Sequence, residues 1–225
     1  MRRELLFGVA QHAVAERGTQ HRGSGAERLK AMMVANKYDQ DYWDGDRKFG
    51  YGGYRYDGRW LAVARDLVKQ YGLVASSRVL EIGCGKAFLL NDLLSEVPGI
   101  TVAGVDISSY AINQAPEAVR KFLTCTNATN LPYADASFDL VISFCTIENF
   151  TLQNACTVLS EIQRVSAGDA YILIQSYHDD NEFVGLLDWQ LVMKTILGVE
   201  EWKWLFDQCG YTGDYGFACY KIALP

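Results

Sequence analysis

The chain predicts an α/β fold built on a mostly parallel sheet with helices on both faces. Three observations carry this reading. Short apolar runs alternate with amphipathic stretches from residue 61 onward, glycines and turn residues separate them, and a Gly-x-Gly loop directly follows the first apolar run. Strands that alternate with helices need crossover connections, which make neighbouring strands parallel and bury the sheet on both sides.

In order, residues 61–71 have the apolar spacing of a helix, and Gly72 stops it. Residues 79–83 read as a buried strand, 87–96 as a helix, 101–105 as a strand, 109–121 as a helix and 122–126 as a strand. Strand 138–144, helix 152–165 and strand 170–176 follow. The tail reads as two helices, 183–197 and 200–209, then Gly210 and a last strand near 215–222. Residues 38–60 differ from all of this: Tyr38, Tyr42, Trp43, Phe49, Tyr51, Tyr54, Tyr56 and Trp60 alternate with charges and glycines. Residues 1–37 form a polar, arginine-containing arm, helical or partly disordered.

At 225 residues the chain suits one α/β domain with an added segment. A net charge of −6 disfavours a nucleic-acid partner, because neutralising phosphates needs a basic surface. No run approaches a membrane span, and the apolar stretch near the start is broken by Gln11 and His12, too early for a secretory signal. A cytoplasmic location is therefore expected. The six cysteines are scattered, with no CxxC pair and no close histidine spacing, so they are expected to be reduced and no metal site is expected.

The segment Val79-Leu80-Glu81-Ile82-Gly83-Cys84-Gly85-Lys86-Ala87 puts two glycines between strand and helix, where a ligand can approach the backbone. About 20 residues on, the second strand ends in Val105-Asp106-Ile107-Ser108, the spacing of a ribose-binding acid. Together these indicate a nucleoside cofactor without choosing which.

These blocks, with Asn130-Leu131-Pro132-Tyr133-Ala134-Asp135-Ala136-Ser137-Phe138-Asp139-Leu140-Val141-Ile142-Ser143, resemble successive motifs of the class I S-adenosylmethionine-dependent methyltransferases. The resemblance covers about half of the chain, from Trp60 to Ser176, in order and spacing. It implies a Rossmann-like three-layer sandwich with a six- or seven-stranded sheet and an antiparallel C-terminal strand. It also implies S-adenosylmethionine as cofactor, S-adenosylhomocysteine as product, and residues 61–225 as the methyltransferase domain. Carried over by position, Glu81, Gly83, Cys84 and Gly85 would line the loop holding the methionine and ribose portions. Asp106 would take the ribose hydroxyls, Ile107 would pack on the adenine, and Asn127 and Ala128 would meet the adenine edge. Phe144 would border the sulfonium. The family most often has aspartate where Asn127 stands; an asparagine can accept from the adenine amino group through its oxygen, as a neutral group.

The 38–60 segment then reads as a lid over cofactor and acceptor, with Tyr51 and Arg59 as its cofactor contacts and Arg47, Lys48 and Arg55 as further anion candidates. For proton removal, His178 after the fifth strand is the first candidate, Glu148 the second and Tyr177 the third. The expected activity is methyl transfer to oxygen or nitrogen of a small-molecule acceptor, without a membrane partner. A protein or nucleic-acid acceptor, or a non-catalytic binding scaffold, are the alternatives. The short tail leaves room for a sheet edge completed by a second copy in a homodimer.

Overall fold

In a computed structural model, residues 2–5, 7 and 23–221 are described. Six strands among them form one sheet: β1 (Arg78–Ile82), β2 (Thr101–Asp106), β3 (Leu123–Cys125), β4 (Phe138–Phe144), β5 (Ser166–Gln175) and β6 (Asp214–Ala218). Their order is β3-β2-β1-β4-β5-β6, and every neighbouring pair is parallel. The order reverses between β1 and β4, and in such sheets the crevice beyond the strand ends at that point is where ligands bind.

Helices cover both faces. On one side lie α3 (Trp60–Tyr71) and α4 (Phe88–Glu96); on the other, α7 (Leu152–Val165) and α9 (Val199–Gln208). Before the core come α1 (Gly25–Ala35) and α2 (Gln40–Trp43); α5 (Ser109–Asn113) and α6 (Glu117–Arg120) link β2 to β3, and α8 (Asp180–Trp189) follows β5. Side chains alternate between the two cores as strand geometry requires. Tyr171 and Leu173 of β5 join the first core, and Ala170, Ile172 and Ile174 the second. In β4, Phe138 breaks parity with Leu140 because a register irregularity separates them.

Four expectations are corrected. The last strand is not antiparallel: α9 acts as a crossover, so β6 enters beside β5 in the same direction. Its outer edge is met by the chain's own start, where the Leu5 N–H donates to the Tyr215 carbonyl at 2.7 Å and the Tyr215 N–H to the Arg3 carbonyl at 3.0 Å. The helix expected over 109–121 is two, because Pro116 lacks an N–H and disfavours helical backbone at the residue before it. The helix expected over 183–197 starts earlier, capped by Asp179, and stops at Trp189; Leu191 and Val192 then pack with Ala31 and Ala35 of α1. Finally, Cys156 and Cys209 are disulfide-bonded, whereas Cys84, Cys125, Cys145 and Cys219 are free thiols. The two bonded cysteines lie on α7 and just past α9, with Cα atoms 5.4 Å apart.

Residues 8–22 of the N-terminal arm lie outside the described residues, as does Ile222. Among the described residues no helix is long and apolar enough to cross a membrane.

Candidate cofactor and acceptor site

The loop after β1 turns on Gly83 and Gly85, with φ of +72° and +54°. The Gly83 and Cys84 N–H groups donate to the Val105 carbonyl at 2.8 and 3.1 Å, tying the loop to β2. Asp106, at the end of β2, accepts from the Gly85 N–H at 2.7 Å through one carboxylate oxygen and from the Ser108 N–H at 2.8 Å through the other. Burial raises its carboxyl above the ordinary aspartate range, against these bonds. A carboxylate accepts about four hydrogen bonds, so lone pairs remain for two hydroxyls.

The 38–60 segment is fastened over this loop. The Trp43 indole packs on Gly85 and donates to Ser108 Oγ at 2.9 Å. The buried Lys86 ammonium reaches both Asp44 oxygens and the Tyr54 carbonyl, each at 2.7 Å. Arg47 donates to the Gly50 and Tyr51 carbonyls and lies over the Trp189 ring, 5.0 Å from its centroid. Its guanidinium thus knits the segment to the end of α8.

Two adjoining cavities open between loop and segment. The first, of about 140 Å³, is lined by Glu81, Gly83, Cys84, Gly85 and Phe144 from the sheet side, and by Tyr51 and Arg59 from the segment. The second, of about 200 Å³, is lined by Asp106, Ile107, Asn127 and Ala128, and shares Tyr51, Gly83 and Phe144 with the first. Every residue that the family motif assigns to the cofactor therefore stands on one of these walls. Glu81 supplies an independent test of fit. Its Oε2 is buried without a partner among the described residues, and burial, reinforced by Asp106, pushes its carboxyl well up. An orphaned buried oxygen on the wall of a cavity calls for a ligand donor there.

Asn127 lines the second cavity, but its side-chain oxygen is already engaged. Its Oδ1 accepts from the Thr129 N–H and hydroxyl at 3.0 and 3.1 Å, so its NH₂ is the group left to meet a ligand. Arg59 forks onto Asp57.

The acid–base candidates lie elsewhere. His178 is 58% exposed, its Nδ1 2.9 Å from Glu182, and neither it nor Tyr177 lines either of these two cavities. Tyr177 packs on Phe183. Glu148 is fully buried below the wall, accepts from the Gln175 N–H at 3.2 Å, and is pushed up to about 8 by burial. The first cavity's far wall is instead made by Trp189, Gln190, Gln175 and Tyr220. Gln190 donates to Gln175, whose side-chain N–H donates to the Tyr220 hydroxyl at 2.7 Å. Sequence reasoning missed this wall; the one cue to it was Gln175, at the carboxyl end of a predicted strand.

The comparisons with known proteins decide the family. A model of the methyltransferase domain matches residues 73–210. The chain belongs to the class I S-adenosylmethionine-dependent methyltransferases. This chain is 27% identical over 176 residues to the ubiquinone/menaquinone biosynthesis C-methyltransferase UbiE of Citrifermentans bemidjiense, covering 74% of this chain and 66% of that protein. It is 32% identical over 107 residues to the malonyl-[acyl-carrier protein] O-methyltransferase of Halorhodospira halophila, covering 44% and 35% of the two chains. It spans from 28% to 66% of the length of the curated relatives it matches. Among solved structures it superposes on the YcgJ protein of Bacillus subtilis with a TM-score of 0.54 at 21% identity, covering 68% of each chain; at that identity the likeness speaks to fold alone.

Proposed function

We propose that this methyltransferase binds S-adenosylmethionine across the two cavities and passes its methyl group to oxygen or nitrogen of a small-molecule acceptor. The observation that carries the reading is the convergence of Glu81, Gly83, Gly85 and Asp106 on adjoining cavities at the point where strand order reverses. Bound there, S-adenosylmethionine supplies an electrophilic methyl on a sulfonium. Asp106 would hold the ribose hydroxyls and Glu81 a donor of the amino-acid portion, while Ile107 and Ala128 would flank the adenine. Trp43, Tyr51 and Tyr54 line the first cavity as an aromatic cover that would keep water from a bound cofactor, which supports the 38–60 segment as a lid.

The acceptor side shapes the rest. Among the described residues its wall offers amides and phenols but no imidazole. Burial raises Tyr42 and Tyr54 far above neutral pH, so their hydroxyls stay protonated and act as donors. An acceptor that needs no proton removed before it attacks, such as a carboxylate oxygen or an amine of low basicity, suits such a wall. The named relatives act at carbon in one case and at oxygen of a carrier-bound malonyl group in the other, which supports small or carrier-borne acceptors as a class.

Calorimetric titration with S-adenosylhomocysteine tests the proposal. Saturable binding that Asp106→Ala removes is expected, and absence of binding by the parent chain would refute it.

A further inference from the structure

Away from both cavities, donor atoms from three elements meet at one point. His178 lies in the turn after β5, Glu182 in the first turn of α8, and Cys219 just past β6. His178 Nδ1 is 2.9 Å from Glu182 Oε2 and 3.5 Å from Cys219 Sγ, and one donor atom of each residue lies within 4.8 Å of the others. Around a tetrahedral zinc ion, with bonds of about 2.0–2.3 Å, neighbouring donor atoms stand about 3.3–3.6 Å apart. The two distances from His178 Nδ1, 2.9 and 3.5 Å, lie within about half an ångström of that spacing.

The same ring nitrogen faces both the carboxylate and the thiol. Whichever tautomer the imidazole takes, Nδ1 can serve only one of them. A nucleophilic triad would instead place thiol and carboxylate on opposite ring nitrogens. The Cys219 thiol also faces the Glu182 carboxylate, so imidazole, carboxylate and thiol are gathered around one point, as ligands gather around a shared cation.

The surroundings agree. Glu182 and Cys219 are buried, and the Glu182 carboxylate also accepts the His178 N–H at 2.8 Å, which sets its orientation as an outer-shell bond would. Asp179 caps α8 beside it, and Lys221 Nζ stands 3.8 Å from the other Glu182 oxygen. The exposed edge of His178 leaves an entry path and room for water as a fourth ligand.

We propose that His178, Glu182 and Cys219 bind one zinc-like divalent cation, with solvent in the fourth position. Imidazole, carboxylate and thiolate together suit a borderline-soft ion rather than magnesium or calcium. Binding displaces the thiol proton to solvent. Ala218 and Tyr220, on either side of Cys219, line the first cavity, so the ion clamps the turn after β5 to the strand end that carries the acceptor wall.

Cobalt(II) titration of the metal-free full chain tests this. A near-ultraviolet thiolate-to-cobalt band saturating at one equivalent and displaced by zinc is expected, with a higher melting temperature in zinc. Cys219→Ser should abolish the band. His178→Ala, at an exposed position, should weaken zinc binding by at least the roughly 10- to 100-fold that losing an outer-shell partner costs. No band in the parent chain, or a band that survives Cys219→Ser, overturns the proposal. Should Cys219→Ser fail to fold, His178→Ala decides alone, and unchanged zinc affinity there overturns it.

Discussion

A Cβ on Gly85 would lie 2.7 Å from the Trp43 indole, so the glycine loop and the aromatic segment before the core are packed against each other to within one missing methyl group. Gly85 also sits at φ +54°, where a side chain adds backbone strain. Gly85→Ala should therefore push Trp43 off the loop, at a cost of about 1–3 kcal/mol. A lower melting temperature, altered tryptophan fluorescence and weaker S-adenosylhomocysteine binding should come together. Parent-like values of all three would show that the contact is dispensable.

Asp106→Asn probes the two backbone bonds of the carboxylate. An amide can offer its oxygen to Gly85 or to Ser108 but not to both, leaving one buried N–H facing an NH₂ group. Loss of about 1–3 kcal/mol of stability is expected in urea unfolding, with a parallel loss of cofactor affinity. If stability falls while affinity holds, the residue orders the loop without touching ligand.

Glu148 makes stability depend on pH. Burial raises its carboxyl from 4.5 to about 8, so the folded chain keeps a proton that the unfolded chain has given up across that interval. Its stabilising contribution is complete below 4.5 and is lost as pH rises toward 8, by up to about 1.4 kcal/mol per pH unit. Glu148→Gln should flatten that slope and be the more stable protein at alkaline pH. Urea midpoints followed across the interval check it; equal slopes for parent and variant would contradict it.

The Cys156–Cys209 bond closes a loop of 53 residues between α7 and the end of α9. Its reduction should lower stability by about 2–4 kcal/mol through the freer unfolded chain. Melting with and without reductant should reproduce the difference, and Cys156→Ala should be insensitive to reductant. A parent chain unmoved by reductant would count against the bond.

Much of this fold could be read in the linear pattern. Strand β4 and helix α7 were expected at their observed bounds, because a strand covered on both faces is a short continuous apolar run and a helix buried on one face repeats every 3.6 residues, and both leave a local signature. The glycine loop, Asp106 and the Asn130–Ser143 block likewise belong to short segments whose backbone demands are local. They were enough to indicate the family and the strand ends around which its cofactor would sit.

What the pattern could not carry was anything made by elements distant along the chain. The direction of β6 depends on α9 crossing over the sheet, and the cover on its edge on residues about two hundred positions earlier. Trp189, Gln190 and Tyr220 meet on the far wall of the first cavity only because α8 stops where Leu191 and Val192 pack against α1, and periodicity carries the helix past that stop. His178 was singled out for its strand-end position, yet packing turned it toward Glu182 and Cys219 and away from the cavity. The sequence by itself determined the layered sheet and the glycine loop, whose causes are apolar patterning and backbone conformation. The tertiary structure alone decided the far wall of the first cavity, the pairing of Cys156 with Cys209 and the surroundings of His178, because contacts between distant segments leave no periodic trace in either of them.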